Sequence, residues 1–274
     1  MINGPLAATS RDAPRALGTK QARPGGAVLI NKESLGELLG LTGEALVLFS
    51  VRHSNRAKKL IFKSSVRNGF ELVLPRRYDD DWVLETVTKR KTMIRRRLSE
   101  IKADRSNLSP KGIILPAVGG SWSVSYEMSE KAPPSVRETA QNTLEVTTDR
   151  ENVFSAAMVL QGWLQVKAVA TLPALLKETS DILGQSYNRV TVRRQKTRWG
   201  SCSAKQNINL NRNLLFMPPH ILDYVLRHEL THLKVLNHSP EFWDELEVIL
   251  PGAASCRTEL KVLEDNAVPA WANA

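Results

Sequence analysis

A His-Glu-x-x-His motif, formed by His228, Glu229 and His232, is followed by a third histidine, His238. Residues four apart on a helix lie one above the other, so His228 and His232 can direct two imidazole nitrogens at one point. The motif therefore predicts a helix, followed by a turn that returns His238 to the same point. Glu229 can reach a metal-bound water without being a ligand. This spacing is typical of a metal-assisted hydrolase.

The residues around the motif also predict a helix. Pro218 and Pro219 precede it, as expected for proline in a first turn. Asn237 is expected to end it, because asparagine tolerates the left-handed conformation that turns a chain out of a helix. Three neutral imidazoles suit zinc and leave a fourth position for water. The alternative to a metal site is a core helix whose histidines bind no metal. The stripe that would anchor the helix consists of Ile221, Leu222, Val225, Leu226, Leu233 and Leu236.

Positive charge is concentrated in one region of the chain. The net charge is +10, and residues 52–111 contain 17 Lys/Arg against 7 Asp/Glu, so the rest of the chain is neutral. This distribution indicates a charged surface or partner rather than a property of the whole fold. No apolar run approaches the roughly 18 residues that a membrane helix needs, so we expect no membrane association. Two cysteines, Cys202 and Cys256, do not form a disulfide framework, which favours a reducing, cytoplasmic setting.

The pattern divides the chain into three parts: a partly disordered leader over 1–44, a basic, strand-rich part over 45–150, and a catalytic part over 151–267. The first 26 residues lack the apolar core of a secretory signal, and a disordered tail is favoured over an organelle transit sequence. Strands are predicted over 45–53, 57–63 and 70–74, with a hairpin turn at Asn68-Gly69.

One basic helix is predicted after Asp79-Asp80-Asp81, which supply its cap and first-turn acids. Two interpretations of its charged face stay open, namely contact with nucleic acid or another acidic partner, and an ordinary solvated surface. Aromatic residues that stack on bases are missing from this face, which favours the solvated surface. The buried stripe is Val83, Val87, Ile94, Leu98 and Ile101, and the charged face is Lys89, Arg90, Lys91, Arg95, Arg96 and Arg97.

Further strands are predicted over 113–115, 122–127, 143–147 and 190–194, and a long helix over 152–183 that Pro173 splits or kinks. Residues 207–211 alternate polar and apolar side chains, which is typical of a half-buried strand. Cys202, in the preceding turn region, is interpreted as a small buried hydrophobic residue rather than a metal or redox group.

Several segments together resemble the YgjP-like metallopeptidases, relatives of the WLM and SprT-like zinc proteases. The resemblance covers roughly residues 50–265. The segments that carry it are Arg198-Trp199-Gly200-Ser201-Cys202, Ile208-Asn209-Leu210-Asn211, Asp223-Tyr224-Val225, His228-Glu229-Leu230-Thr231-His232, Asn237-His238-Ser239 and Phe242-Trp243.

The resemblance implies an α+β, zincin-like fold with zinc held by three histidines. It further implies that Glu229 is the catalytic base and that a peptide or protein is the substrate. The strand at Ile208–Asn211 is expected to border the cleft, where an extended peptide can add as another strand. Metzincins have a glycine where this chain has Val235, so the turn to His238 is made differently. The predicted ligands are His228, His232 and His238, and the predicted substrate contacts are Ile208, Asn209, Leu210, Arg198 and Tyr224.

Two other functions stay open beside a zinc metallopeptidase. The first is a metal-dependent nucleotide phosphohydrolase that acts as a UTP pyrophosphatase. Members of the YgjP-like group carry that label, and basic residues at 193–198 can contact phosphates. A nucleic-acid-associated module with protease activity on DNA-bound protein is the other, with the 52–111 region as its binding surface. The basic residues for the first alternative are Arg193, Arg194, Lys196 and Arg198.

Overall fold

A computed structural model describes residues 30–149, 152, 154–264 and 266–274. The chain forms two compact units, one ending at Leu108 and the other beginning at Ser109. The structural division therefore lies before the second group of strands, and not near residue 150 where the sequence pattern placed it. Most of the predicted leader, residues 1–29, lies outside the described residues, whereas 30–44 carries a helix of the first unit.

The first unit packs helices against a three-stranded sheet. Its central strand β3 pairs with β1 in parallel and with β2 antiparallel. Phe49, Phe70 and Leu72 lie in its core with apolar residues of the helices. Its elements are α1 (Lys32–Leu39), α2 (Gly43–Leu48), β1 (Phe49–Ser54), β2 (Ile61–Ser65), β3 (Gly69–Pro75), α3 (Asp80–Lys89) and α4 (Lys91–Ser106).

Two sequence expectations for the strands of this unit have clear outcomes. The hairpin at Asn68-Gly69 is confirmed, since Ser65 pairs with Gly69, whose φ of 76° suits glycine. The predicted strand at Ala45 was wrong, because α2 occupies Gly43–Leu48 and the strand begins only at Phe49. Short apolar runs of this kind fit a helix or a strand equally well by pattern alone.

The predicted basic helix is two helices, α3 and α4, separated at Arg90. Its apolar stripe is confirmed, since all five residues are buried, and Asp79 caps α3 by accepting a hydrogen bond from the Trp82 amide. Part of the positive charge is compensated by surface ion pairs, namely Lys89 with Glu85, and Arg96 and Arg97 with Glu100. These pairs favour the interpretation of this face as a solvated surface.

The second unit contains two sheets and the long helix α5. In the first sheet the strand order is β4-β5-β7-β6, and in the second it is β8-β10-β9. Its elements are β4 (Gly112–Leu115), β5 (Gly120–Met128), β6 (Ser135–Glu138), β7 (Thr143–Thr148), α5 (Ser155–Ile182), β8 (Arg189–Arg193), β9 (Gly200–Cys202), β10 (Asn207–Asn211), α6 (Pro219–Thr231), α7 (Pro240–Ile249), α8 (Ala253–Leu263) and α9 (Ala270–Asn273). The mixture of helices with parallel and antiparallel strands confirms the α+β class.

Helix α5 runs without interruption through Pro173, contrary to the split that this proline suggested. Among the described residues it is the helix that is long and apolar enough to cross a membrane by length and composition. Its leucines at 160, 164, 172 and 176 are nevertheless fully buried, and it packs against β8, α6 and α9. These contacts are those of a core helix, and they supply the support on which the His-Glu-x-x-His helix rests.

Candidate metal centre

Helix α6 positions the first two histidines. It begins at Pro219 after Pro218, where a missing amide hydrogen costs nothing. Ile221 and Val225 are fully buried and anchor one side of the helix in the core. The last helical residue is Thr231, so His232 is the C-terminal cap with helical backbone angles. His228 and His232 are 1% and 3% exposed, which places both imidazoles inside the protein.

The three histidines come together as the sequence spacing predicts. One ring nitrogen of each lies within 4.8 Å of the others, and Nε2 of His238 is 3.0 Å from Nε2 of His228. Nδ1 of His232 lies 3.0 Å from the carbonyl oxygen of Val235. Since a carbonyl only accepts, Nδ1 carries the proton and Nε2 keeps its lone pair. Metal-binding histidines are commonly oriented by such a second hydrogen bond.

The turn that returns His238 differs from the expected one. Helix α6 ends six residues before Asn237, and among the described residues the non-glycine positions with positive φ are Asn142 and Gln206. The left-handed conformation predicted at Asn237 was therefore wrong. Instead, the amides of Lys234 and Val235 donate to the Thr231 carbonyl, and the chain leaves the helix there. Leu236, expected on the buried stripe, is 58% exposed.

Aromatic contacts fix the ring of His238, which comes from a loop rather than a helix. Phe242 lies edge-on to it at 4.8 Å between ring centroids, and Trp243 stacks on it at 5.5 Å with an interplanar angle of 23°. Phe242 is fully buried and also contacts His228 and His232. One apolar ring on α7 thus touches all three imidazoles and seals the inner side of the cluster.

The three imidazoles are neutral at physiological pH because each is partly or fully removed from water, His228 and His232 by burial and His238, which is exposed on one side, by its neighbours. Removal from water lowers the pKa of His228 to about 2 and that of His238 to about 4, and neighbouring His232 acts in the same direction on both. Burial also lowers the pKa of His232, although the hydrogen bond to Val235 opposes this. Neutral imidazoles have a free lone pair for a metal ion.

Glu229 is the acidic group of the site. It is fully buried, and in the described part of the chain neither carboxylate oxygen has a hydrogen-bond partner. Burial raises its pKa to about 8, with the positive charge of Arg198 opposing the rise. A buried carboxylate without a partner is costly, so it indicates that a further donor belongs in the site. A metal with its water supplies such a donor, and three nitrogen ligands fit zinc better than magnesium or calcium.

Strand β9 lies directly against Glu229. A Cβ atom added at Gly200 would lie 2.5 Å from Oε1 of Glu229 and 2.7 Å from its Cδ and Cγ. Only glycine therefore lets the strand approach the carboxylate this closely. Within the described residues β9 pairs with β10 alone, so no other strand pairs with its second edge.

The strand predicted to border the cleft lies in the middle of its sheet. Strand β10 is central, paired with β8 on one side and β9 on the other, and therefore has no free edge. Ile208 and Leu210 are fully buried. Asn209 donates to Oγ of Ser201 on β9 and accepts from the hydroxyl of Thr191 on β8. These predicted substrate contacts instead hold the sheet together, because alternation along one strand does not reveal its neighbours.

Tyr224 is likewise a core residue rather than a surface contact. It is fully buried, its ring lies 6.0 Å from that of His228, and burial raises its pKa to about 12. Its hydroxyl has no hydrogen-bond partner among the described residues. The side chain therefore supports His228 from one turn earlier on α6.

Two of the basic residues considered for phosphate binding, Arg194 and Arg198, have different surroundings. Arg194 donates to Oε1 of Gln161 and to the Asn273 carbonyl, so it ties α5 to α9. Arg198 is half-buried, and its charge acts on Glu229. Asn211 holds the Arg198 segment by donating to the carbonyls of Gln195 and Arg198 at 3.0 and 2.9 Å.

Two residues near the site were missed by the sequence argument. Gly200 was named only within a segment that resembles the family, although its place directly after the large residue Trp199 was a signal of close packing. Arg257 on α8 lies with Cζ 4.3 Å from the ring centroid of Trp243, next to the third histidine. No spacing links Arg257 to the motif, because α8 is brought there by tertiary packing against α6 and α7.

Cys202 is a half-buried free cysteine on the same face of β9 as Gly200. Burial, together with the charge of Glu229, raises the pKa of its thiol to about 11. We expect iodoacetamide at pH 8 to alkylate it about 100-fold more slowly than an unperturbed cysteine, because the thiolate fraction is that much smaller. Mass spectrometry of digested protein separates Cys202 from Cys256. Alkylation at the rate measured after unfolding in urea would contradict the prediction.

Comparison with protein families identifies the family of the chain. The model of the "YgjP-like, metallopeptidase domain" family matches residues 58–263. No curated protein is significantly similar to the chain. Two similar solved structures are the metallopeptidase zymogen of Pyrococcus abyssi abylysin, at 30% identity over 35% of this chain and 95% of that one, and the metallopeptidase zymogen of Methanocaldococcus jannaschii jannalysin, at 25% over 34% and 95%. Each has a TM-score of 0.30. Since the family model spans well over half of the sequence, the chain belongs to the YgjP-like metallopeptidase family.

Proposed function

We propose that this metal-dependent hydrolase is a zinc peptidase in which His228, His232 and His238 hold the metal and Glu229 is the catalytic base. One observation carries the proposal: three neutral imidazoles converge within 4.8 Å next to a buried carboxylate that has no hydrogen-bond partner among the described residues. When bound, zinc would acidify a water molecule and polarise the scissile carbonyl group. Membership in a metallopeptidase family supports a peptide or protein as the substrate.

Glu229 has the properties that a proton carrier needs. Its oxygens have no hydrogen-bond partner among the described residues, and in the metal-free protein burial raises its pKa to about 8, towards the neutral range in which a proton carrier works best. A carboxylate oxygen takes a proton from the attacking water and delivers it to the leaving amine nitrogen. Burial excludes bulk water from this transfer and strengthens the interaction of the carboxylate with nearby charges.

The free edge of β9 is our candidate for the substrate-binding strand. An extended peptide that pairs with Gly200–Cys202 would lie near Glu229, because Gly200 is so close to this carboxylate that a Cβ atom on it would lie 2.5 Å from Oε1. Backbone hydrogen bonds to a sheet edge hold a peptide with little dependence on its side chains. This assignment replaces β10 with its neighbour and keeps the principle of strand addition.

Replacing His238 with alanine is expected to weaken zinc binding by at least about 100-fold, because one of three protein ligands is lost while α6 keeps the other two. Zinc affinity is measured by competition with a chromogenic chelator, and peptide turnover in parallel. His220, an exposed histidine paired with Glu259, supplies the matched control as His220→Ala. Equal zinc affinity of His238→Ala and the wild type would remove His238 from the ligand set.

A further inference from the structure

Arg257 and the third histidine contact the same indole ring. Cζ of Arg257 lies 4.3 Å from the Trp243 ring centroid, and that ring stacks on His238 at 5.5 Å. A guanidinium over an aromatic face is held by attraction to the ring and loses part of its conformational freedom before any ligand arrives. The side chain is therefore preorganised on a ring that also contacts a residue of the metal centre.

The N–H groups of the Arg257 guanidinium donate no hydrogen bond to the described residues. The residue is exposed, and no hydrogen bond or salt bridge joins its side chain to any other part of the chain that the structure describes. Acidic groups around α8 are engaged elsewhere: Asp223 with Arg227 at 2.8 Å, and Glu259 with His220 at 2.9 Å. Its planar set of N–H donors is thus available to a carboxylate, the anion whose geometry it matches.

We propose that Arg257 is a specificity-determining residue that selects peptides with a carboxylate next to the scissile bond. This inference rests on the proposed peptidase function and adds the class of substrate. The carboxylate is an acidic side chain or the carboxyl terminus of the peptide, since a guanidinium recognises both in the same way. Arg257 forms a paired hydrogen bond with it on the His238 side, while β9 holds the peptide backbone on the Glu229 side.

Matched fluorogenic peptides test the proposal with the full-length, zinc-loaded protein. One pair differs only in Asp or Asn beside the cleaved bond, a second pair in Glu or Gln, and a third in a free or amidated carboxyl terminus. We expect the wild type to favour the acidic member in kcat/KM by on the order of 10- to 100-fold. A preference confined to the third pair identifies a carboxyl-terminal substrate, and one confined to the first two identifies an acidic side chain.

Variants at Arg257 distinguish a role in substrate specificity from a role in positioning the metal ligand His238. Arg257→Ala should bring the acidic preference close to one, Arg257→Lys should keep part of it, and Arg257→Glu should invert it towards a peptide with lysine at the same position. Lys261→Ala removes an exposed cation one turn further along α8 and should leave the preference unchanged. Zinc content is measured for every variant.

The results that overturn the proposal are distinct. An acidic preference that persists in Arg257→Ala and Arg257→Glu, or that falls equally in Lys261→Ala, rules out Arg257 as its source. Loss of zinc in the Arg257 variants would show that the residue positions His238 through Trp243 and does not read the substrate. A zinc-loaded wild type that cleaves none of the peptides refutes the proposed peptidase function, whereas cleavage without acidic preference refutes only the role of Arg257.

Discussion

Glu229→Gln is expected to lower peptide turnover by about 10²- to 10⁴-fold while zinc stays bound. Glutamine has the size of glutamate, so the packing around this fully buried position is kept. It cannot accept the proton that the carboxylate takes from water. Turnover of a fluorogenic peptide and zinc content by mass spectrometry are measured on the same preparation. Wild-type turnover in Glu229→Gln would exclude Glu229 as the base.

The stability of the metal-free protein provides a control on the same variant. An unperturbed glutamate carboxyl group has a pKa near 4.5, and burial raises the pKa of Glu229 to about 8. Between these values the unfolded chain has lost the proton and the folded chain retains it, so this group makes folding less favourable as pH rises from about 4.5 to 8. Metal-free Glu229→Gln should therefore melt at a higher temperature than the metal-free wild type at pH 7, and at nearly the same temperature at pH 4.

Gly200→Ala is expected to lower turnover by about 100-fold, because a displacement of about 1 Å at a catalytic group has an effect of that size. The added methyl group would lie 2.5 Å from Oε1 of Glu229, so the carboxylate or the strand must move. His228, His232 and His238 are left unaltered, and zinc should remain bound. Peptide turnover, zinc content and far-UV circular dichroism distinguish displacement of the carboxylate from general unfolding.

Gly162→Ala is the matched control for this substitution. Gly162 lies on an exposed side of α5, and a Cβ there meets no atom within 4 Å. Alanine should leave turnover unchanged and raise helix stability by up to about 1 kcal/mol. If a folded Gly200→Ala protein turned over peptides as fast as Gly162→Ala, the close approach of β9 to Glu229 would have no part in catalysis.

Local patterns predicted those parts of the molecule that depend on neighbours in sequence. The His-Glu-x-x-His spacing requires a helix, and α6 brings His228 and His232 together because residues four apart share a helical face. The buried stripes of α3 and α4 and the alternation in β10 follow from periods of 3.6 and 2. The length of a short apolar run such as Ala45–Phe49 does not distinguish helix from strand, and there the prediction failed.

The sequence by itself determined the chemistry of the centre, namely three imidazoles and one carboxylate, because these groups lie within one helix and the turn that follows it. Tertiary structure alone decided which strand has a free edge, since pairing of β10 on both sides depends on β8 and β9. It also decided that Tyr224 is buried under His228, that Gly200 touches Glu229, and that Arg257 reaches Trp243. The contacts of Gly200 with Glu229 and of Arg257 with Trp243 join separate elements of the chain, where no local period records which side chains will meet.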